Sequence, residues 1–374
     1  MRLLKFDTVH PHDYLLKKQA EWKDELFSWD KETYYQKLIS LRCNFSDFYT
    51  YNLNQLQWEA EEFFINDSIY IYKLAKELYG GAYKFKKLIN LIKNKTGFIA
   101  PEWKLKVISD YIEAYKPDVI FCREHTNIPG YFWKKYKNKI FIISRISSHL
   151  PADWSPLEFN LIYTDLPHYR EFFKYNKIDT LYNHNGFDER VLNELGSSEK
   201  LYDVVFVGGL NNHLFSSRTD FFAEIAGDAN YKFNWWGYYD GDLDKVLINT
   251  YMGMAAGIEM FNIYRSSKIV INDYIDMAAG TAVNQRIYEV MGVGTLLLTR
   301  ESPTIYDYFP EGSLVTYTSL EECKEKLNYY LNNESEREKI AKYGQSVILE
   351  KYNYKDLMKQ LSGEITDRIG KIHD

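Results

Sequence analysis

Short apolar strands alternate with helical segments along most of this chain, and this alternation limits its fold more than any other feature. In the first half, the sequence predicts strands at residues 2–7, 118–122, 139–144, 160–163 and 179–182. Helical patterns lie around them, at residues 14–40, 68–79, 103–115, 130–137 and 166–175. Strands that alternate with helices in this way pair in parallel through right-handed crossovers. We therefore predict an α/β protein built on parallel sheets.

A second series of the same kind follows a polar junction at residues 183–188. Its predicted strands are residues 202–207, 232–236, 268–272, 295–299 and 313–317, and helices dominate the chain from residue 319 onward. A chain of 374 residues usually forms two domains. We predict an N-terminal domain at 1–185, a second domain at 186–353 and a C-terminal helical segment at 354–374.

The run of residues 284–299 says most about function, because it predicts a short helix, a glycine turn and a buried strand. Arg286 and Glu289 are three residues apart and therefore share one face of that helix. A carboxylate accepts two hydrogen bonds from a sugar diol, and a guanidinium pairs with phosphate. This combination predicts a nucleotide-sugar site at the mouth of a parallel sheet. A surface ion pair between Arg286 and Glu289 is the alternative interpretation.

Other strand ends in the second half point to the same chemistry, because ligands of open parallel sheets bind beyond the carboxyl ends of the strands. The candidate phosphate-binding residues there are Gly208, Gly209, Arg218, Gly280, Thr281 and Asn284. Glycine lets backbone N–H groups approach phosphate oxygens, and the start of a helix favours an anion. The G-x-G-x-x-G fingerprint is missing, so the sequence does not predict a dinucleotide site. An ordinary strand-to-helix turn explains the glycines equally well.

Charge and composition exclude several classes of protein. The chain has 46 Lys and Arg against 52 Asp and Glu, a formal net charge of -6, and its charges are mixed rather than gathered in a basic stripe. Its 3 cysteines show no metal-ligand spacing. The N-terminus is too polar for a signal peptide, and no apolar run reaches the roughly 20 residues of a membrane span. We expect a cytoplasmic protein without a nucleic-acid partner; a lysine-rich stretch at 84–95 leaves peripheral membrane contact open.

The second half resembles the group-one glycosyltransferase domains found in CgeB-like spore maturation proteins. The segments that carry the resemblance are 203–208, 236–237, 251–253, 260–272, 284–299 and 336–345. They follow one another in order across residues 201–360. The first half resembles the same proteins at fewer positions, through 116–120 and 185–188.

The resemblance implies the GT-B fold, an α/β fold in which two Rossmann-like domains with parallel sheets face a central cleft. In that fold the nucleotide sugar binds the C-terminal domain, the acceptor binds the N-terminal domain, and the last helix crosses back. The resemblance also implies a glycosyltransferase that uses a nucleotide-diphosphate sugar as co-substrate. Neither a metal ion nor another cofactor is expected, and the acceptor would be a glycan or another hydroxyl compound.

By position, Glu289 matches the carboxylate that holds the ribose hydroxyls in such enzymes. Their pattern has a second acid eight residues earlier, where this chain has Thr281. Tyr251 lies where related enzymes touch the nucleobase. The candidates for contact with the diphosphate are Arg218, Lys268 and Arg286.

An inverting transfer also needs a base beside the acceptor hydroxyl, and we expect it in the first half. The candidates follow predicted strands and are Glu124, His125, His149 and Asp153. Two alternatives to a transferase remain at this point. A nucleotide-sugar epimerase or hydrolase of the GT-B type would turn over the donor without an acceptor. A catalytically silent glycan-binding protein would keep the fold, and the missing acid at Thr281 favours it.

Overall fold

The computed structural model describes residues 1–80, 102–147, 150, 154–211, 216–274 and 284–373. Its contacts divide the chain into two compact units. The first unit contains Met1–Asn183 together with Met358–Asp374, and the second contains His184–Leu357. The last helix, Tyr354–His373, therefore contributes most of its length to the first unit.

Six described strands form the parallel sheet of the first unit, in the order β2-β1-β3-β4-β5-β6. The strands are β1 (Arg2–Asp7), β2 (Glu59–Phe64), β3 (Val119–Cys122), β4 (Phe141–Ile146), β5 (Leu161–Thr164) and β6 (Thr180–Tyr182). The helices are α1 (His12–Glu21), α2 (Lys31–Ser40), α3 (Phe48–Gln55), α4 (Ser68–Tyr79), α5 (Glu102–Tyr115), α6 (Tyr131–Lys134) and α7 (Pro167–Tyr175), with a 3₁₀ turn at Pro156–Glu158. Because all six strands run in parallel, their carboxyl ends meet at one edge.

The second unit has its own parallel sheet, in the order β13-β12-β11-β7-β9, and a small pair of β8 and β10. Its strands are β7 (Tyr202–Val207), β8 (Leu210–Asn211), β9 (Phe233–Trp236), β10 (Tyr239–Asp240), β11 (Ser267–Asn272), β12 (Leu296–Arg300) and β13 (Val315–Tyr317). Its helices are α8 (Arg190–Glu194), α9 (Ser216–Ala226), α10 (Lys245–Thr250), α11 (Gly257–Arg265), α12 (Gln285–Gly292), α13 (Ile305–Tyr308), α14 (Leu320–Asn332) and α15 (Glu334–Lys351), and α16 (Tyr354–His373) begins in it.

The central strands of the second sheet are apolar because they are buried on both faces. Ile269, Val270 and Ile271 of β11 are each fully buried. Ile269 lies opposite Leu296 of β12 and Val204 of β7. Continuous runs of branched residues are typical of parallel strands that helices cover on both sides. This packing places the carboxyl ends of β9, β7 and β11 next to one another.

Most of the predicted strands and helices are confirmed, and the largest difference lies near the N-terminus. The single helix predicted at 14–40 is wrong, because α1 and α2 are separate helices. The Asp30 side chain caps α2 by accepting a hydrogen bond from the Thr33 N–H at 2.7 Å. The Trp22 and Trp29 rings pack edge to face across the intervening turn. A cap and an aromatic contact therefore end one helix and start another where helix-forming residues alone predict continuity.

Candidate functional site

Three glycines bring the ends of two neighbouring strands into backbone contact. Gly208 and Gly209 follow β7, and Gly237 follows β9. The Gly208 N–H donates to the Trp236 carbonyl at 2.8 Å. Gly237 has a φ of 144°, and a Cβ atom built on it would lie 2.0 Å from the Gly208 carbonyl oxygen. This edge of the sheet therefore requires glycine at position 237, since no side chain fits between the two turns.

Arg286 lies directly against this glycine turn. Its Nη2 atom would be 2.7 Å from a Cβ atom built on Gly208, and its guanidinium carbon lies 5.1 Å from the centroid of the Phe206 ring. Arg218 is buried and donates a hydrogen bond to the Gly209 carbonyl oxygen. The Gly209 N–H has no hydrogen-bond partner in the described part of the chain. Two guanidinium groups and an available amide donor thus meet at one strand end.

Asn272, the last residue of β11, holds the Arg286 side chain in this position. The Asn272 Oδ1 atom accepts hydrogen bonds from Arg286 Nη1 at 2.8 Å and from Asn284 Nδ2 at 3.0 Å. Asn284 precedes α12, but its side chain makes no capping hydrogen bond with the described residues of the first turn. The N–H groups at the start of α12 therefore add to the positive potential around Arg286.

Glu289 lies one helical turn beyond Arg286, and only 8% of its surface is exposed. Burial raises the pKa of the Glu289 carboxyl to about 7, although the Arg286 charge and a hydrogen bond from Gln285 act in the opposite direction. A carboxyl with this pKa changes its charge near neutral pH. Perturbed acids of this kind are frequent at functional sites because a ligand, rather than water, completes their hydrogen bonds.

The structure does not bring Lys268 to this edge of the sheet. Lys268 lies at the start of β11, whereas the site residues follow its carboxyl end at Asn272. Four residues of strand separate the two positions, which corresponds to about 13 Å. The Lys268 Nζ atom pairs with Asp203 Oδ1 at 2.6 Å. We therefore leave Lys268 out of the site, because its charge is both distant and compensated.

Tyr251 lies near the site but uses its hydroxyl within the fold. The hydroxyl donates to the Gly237 carbonyl oxygen at 2.8 Å. The ring lies 4.6 Å from the Trp235 ring, centroid to centroid. Tyr251 therefore supports the backbone at Gly237 rather than presenting its hydroxyl to a ligand. The neighbouring Tyr238 is 43% exposed, and its ring covers the Gly209 backbone.

In the first unit, two of the candidate bases have structural partners. The His125 Nε2 atom lies 3.0 Å from the Arg145 carbonyl oxygen and 3.2 Å from Ser144 Oγ. Burial lowers the pKa of His125, so it is neutral at pH 7. The Glu124 carboxylate accepts hydrogen bonds from the Thr126 hydroxyl and from the Asn127 N–H, the latter at 3.1 Å. These contacts engage both side chains within the loop after β3 and with the neighbouring strand β4.

Four predicted site residues lie outside the described residues: His149, Asp153, Gly280 and Thr281. Their assignments stay predictions, as does the lysine-rich stretch at 84–95. The sequence prediction omitted Asn272 from the site, although one signal for it exists. An amide that ends a run of fully apolar residues at the carboxyl end of a buried strand is well placed to meet a ligand or a ligand-binding side chain.

Two searches of the described residues returned nothing. No group of three or more His, Cys, Asp and Glu side chains in them has the arrangement of a metal site. No helix in them combines the length and the apolar character that a membrane span requires.

Comparison with protein families finds a match to part of the chain. Residues 218–363 match the family described as glycosyl transferase-like. A search of curated proteins found no significant match.

Solved structures resemble the chain along almost its whole length. A glycosyltransferase from Rickettsia africae ESF-5 matches with a TM-score of 0.57 and 10% identity, over 98% of this chain and 98% of that chain. Sucrose-phosphate synthase from Thermosynechococcus elongatus matches with a TM-score of 0.55 and 9% identity, over 99% of this chain and 100% of that chain. Anabaena HepE, solved in complex with UDP and glucose, matches with a TM-score of 0.53 and 12% identity, over 98% and 100% of the two chains. Likeness at such low identity shows the fold. The chain therefore has the GT-B fold, and its residues 218–363 match the glycosyl transferase-like family.

Proposed function

We propose that this protein is a glycosyltransferase that moves a sugar from a nucleotide-diphosphate sugar to a glycan or another hydroxyl acceptor. The observation that carries the proposal is the convergence of Arg286, the Gly209 N–H and the buried Glu289 at one edge of the second sheet. A glycosyl transferase-like domain at residues 218–363 supports the same activity. The narrower family, CgeB-like proteins, remains part of the proposal.

The anionic part of the donor would bind at the glycine turn. Arg286 offers two guanidinium edges, of which one is held by Asn272. The Gly209 N–H and the first turn of α12 supply further donors beside it. Positive groups that stand ready before the reaction stabilise the charge that develops on a leaving diphosphate. This role would let the reaction proceed without a metal ion, which we propose as well.

The pentose would bind at Glu289. Arg286 and Glu289 are one helical turn apart, with about 5–6 Å between the Cβ atoms of such a pair. A nucleoside diphosphate carries its ribose diol and its first phosphate at a comparable separation. Hydroxyl groups that donate to the Glu289 carboxylate would replace the water that burial removes and would favour the ionised form. The buried acid and the neighbouring cation thus suit the two ends of one ligand.

An inverting transfer would also need a base for the acceptor hydroxyl, and the contacts of Glu124 and His125 argue against both. We propose that His149 or Asp153 has this role. A base that acts only on the acceptor affects turnover and leaves donor binding unchanged. His149→Ala and Asp153→Asn should therefore bind the donor normally, and the residue that acts should lose most of its turnover when replaced.

The experiment that tests the proposal is a thermal-shift screen against UDP-, GDP-, dTDP-, ADP- and CMP-sugars. A ligand present at one hundred times its Kd stabilises the folded protein by about 2.7 kcal/mol. A sugar nucleotide that raises the unfolding temperature therefore identifies the nucleobase of the donor. The hit is then incubated with and without candidate acceptors, with and without EDTA, and the products are identified by mass spectrometry. Transfer that requires an acceptor supports the proposal.

The variants Arg286→Ala and Lys268→Ala provide a matched pair for this screen. Each removes one cation from the same unit, but only Arg286 lies at the glycine turn. We expect Arg286→Ala to abolish the stabilisation and Lys268→Ala to retain it. Release of free sugar or isomerised donor without an acceptor would indicate a hydrolase or an epimerase. Binding of glycans with no response to any nucleotide sugar would indicate a silent glycan-binding protein.

A further inference from the structure

The cationic side chains of the second unit differ in what holds them. Arg300 pairs with Asp273 through two contacts, Nε to Oδ1 at 2.6 Å and Nη2 to Oδ2 at 2.9 Å. Lys268 pairs with Asp203. Each of these positive charges is therefore cancelled by a neighbouring carboxylate.

Arg286 is held differently. Its Nη1 atom donates a hydrogen bond to the neutral Asn272 amide at 2.8 Å. Among the described residues, no carboxylate lies within ion-pair distance of the Arg286 guanidinium. Asn272 and Asp273 are adjacent in sequence, so the same strand end holds one arginine through a neutral amide and another through a carboxylate that neutralises it.

We propose that Asn272 is a positioning residue that fixes the Arg286 guanidinium at the glycine turn without cancelling its charge, which leaves that charge for the diphosphate of a nucleotide sugar. The inference rests on the proposed function, and it assigns Asn272 an effect on the ligand that is exerted through Arg286.

The Asn272 amide can do this because its orientation is fixed. Its Nδ2 atom donates to Thr299 Oγ1 at 2.9 Å, on the neighbouring strand β12. Its Oδ1 atom accepts from Arg286 and Asn284, and the side chain is fully buried. A flip of the amide would turn its N–H groups toward Arg286 Nη1 and Asn284 Nδ2, which are donors themselves. The hydrogen bonds therefore favour the orientation in which the Oδ1 atom faces Arg286.

Asn272→Asp tests the charge separately from the shape. Aspartate has the shape of asparagine, and the Thr299 hydroxyl can rotate to donate to its second oxygen. The new carboxylate would pair with Arg286 and reduce the charge of the pair from +1 to 0. A hydrogen bond to a charged group contributes enough that its loss weakens binding by about tenfold or more. We expect this loss of affinity without a fall in the unfolding temperature, since the added charge is paired.

The probe is inorganic pyrophosphate, which carries the anion without a base or a sugar, followed by the nucleotide sugar found in the screen. Isothermal titration calorimetry gives Kd and a thermal melt gives stability for the wild type, Asn272→Asp, Arg286→Ala and the double variant. Asp273→Asn is the matched control, because it removes a negative charge at the next residue, whereas Asn272→Asp adds one. We expect Arg286→Ala to weaken binding at least tenfold in the wild type and by less than twofold in the Asn272→Asp background.

A second variant keeps the inference testable if Asn272→Asp fails to fold. Thr299→Val retains the shape of the residue but removes the hydroxyl that orients the amide, so we expect pyrophosphate to bind several times more weakly. Unchanged affinity in Asn272→Asp or in Thr299→Val overturns the inference, and so does an affinity loss that follows a fall in unfolding temperature. If the wild type binds no nucleotide sugar, the proposed function fails. If it binds one and Arg286→Ala weakens it while Asn272→Asp does not, only the present inference fails.

Discussion

Replacing Glu289 by glutamine should stabilise the protein at neutral pH and weaken its binding to the donor. Glu289 is buried, and burial raises its pKa to about 7. Glutamine has the shape of the protonated acid and carries no charge. The variant therefore removes the cost of burying an ionised carboxylate, and it also removes the charged acceptor that we assign to the ribose hydroxyls.

The size of the stability effect follows from the pKa in the two states. The pKa of Glu289 is about 7 in the folded protein, against an ordinary value of 4.5 when unfolded. At about 1.4 kcal/mol for each pH unit, this difference corresponds to about 3 kcal/mol. Because the folded pKa is the higher one, the stabilising contribution is complete below pH 4.5 and is lost as the pH rises through 7. Above pH 7 the wild type carries the whole penalty and Glu289→Gln carries none.

The assay is equilibrium denaturation of the wild type and Glu289→Gln at pH 5 and pH 8. The other groups titrate in both proteins. The change with pH in the difference between the two free energies of unfolding therefore isolates the contribution of Glu289. We expect the free energy of unfolding of Glu289→Gln relative to the wild type to rise by about 2–3 kcal/mol between the two pH values, slightly less than the full effect because part of the titration lies below pH 5. The same variant should bind the donor about tenfold more weakly at pH 8, since hydrogen bonds to charged groups are the stronger ones.

Two results would refute this reasoning. A difference in the free energy of unfolding that does not change between pH 5 and pH 8 would show that the carboxyl titrates normally. Unchanged donor affinity in Glu289→Gln would remove the ribose assignment while leaving the fold untouched.

Three further predictions concern residues around the site. Lys268→Ala should leave donor affinity unchanged in calorimetry and cost at most about 1 kcal/mol of stability, because it removes a partly exposed ion pair; a large loss of affinity would return Lys268 to the site. Gly237→Ala should cost about 3 kcal/mol or more in a denaturation experiment, because the added methyl group meets the Gly208 carbonyl. Gly253 has a φ of 103° and no atom within 4 Å of a Cβ built on it, so Gly253→Ala should cost only about 1–2 kcal/mol of backbone strain. Equal losses of stability in the two variants would contradict the steric argument. Tyr251→Phe should lower stability by about 1 kcal/mol through loss of the bond to Gly237 and leave the ranking of nucleotide bases unchanged; a changed ranking would show that the hydroxyl contacts the base.

The positions of the secondary-structure elements could be predicted because local pattern determines them. Continuous runs such as Val204–Val207 and Ile269–Ile271 are apolar enough to identify buried parallel strands, and β7 and β11 occupy these places. The short α3 was not predicted, and the break between α1 and α2 was missed. The break follows from the Asp30 cap and the Trp22–Trp29 contact, a local signal that the prediction did not use. By contrast, α3 packs against residues distant in sequence, as in the contact between the Tyr49 and Phe121 rings at 5.5 Å. Local propensity contains no information about such contacts.

Some residues of the candidate site could likewise be placed from the sequence, and others could not. Arg286 and Glu289 could be placed on one helix face from their spacing, and glycine turns at the ends of parallel strands could be expected near a ligand. Lys268 could have been excluded from the sequence, because it begins the predicted strand 268–272 and the site follows the carboxyl end of that strand. Tyr251 could not be excluded in this way, since its hydroxyl is occupied by a carbonyl fourteen residues earlier, a contact that only the tertiary structure shows.

The sequence by itself determined that this chain alternates strands with helices and that an acid and a guanidinium share one helical turn after a glycine-rich strand end. Those properties follow from residue types and short spacings, which act locally. The tertiary structure decided which positive charges are neutralised by a neighbour, because a carboxylate meets Arg300 and Lys268 while an amide meets Arg286. It also decided that Glu289 is buried and that its carboxyl titrates near neutral pH. Burial and ion pairing depend on the residues that the sheet order brings together, and those residues come from strands far apart in the chain.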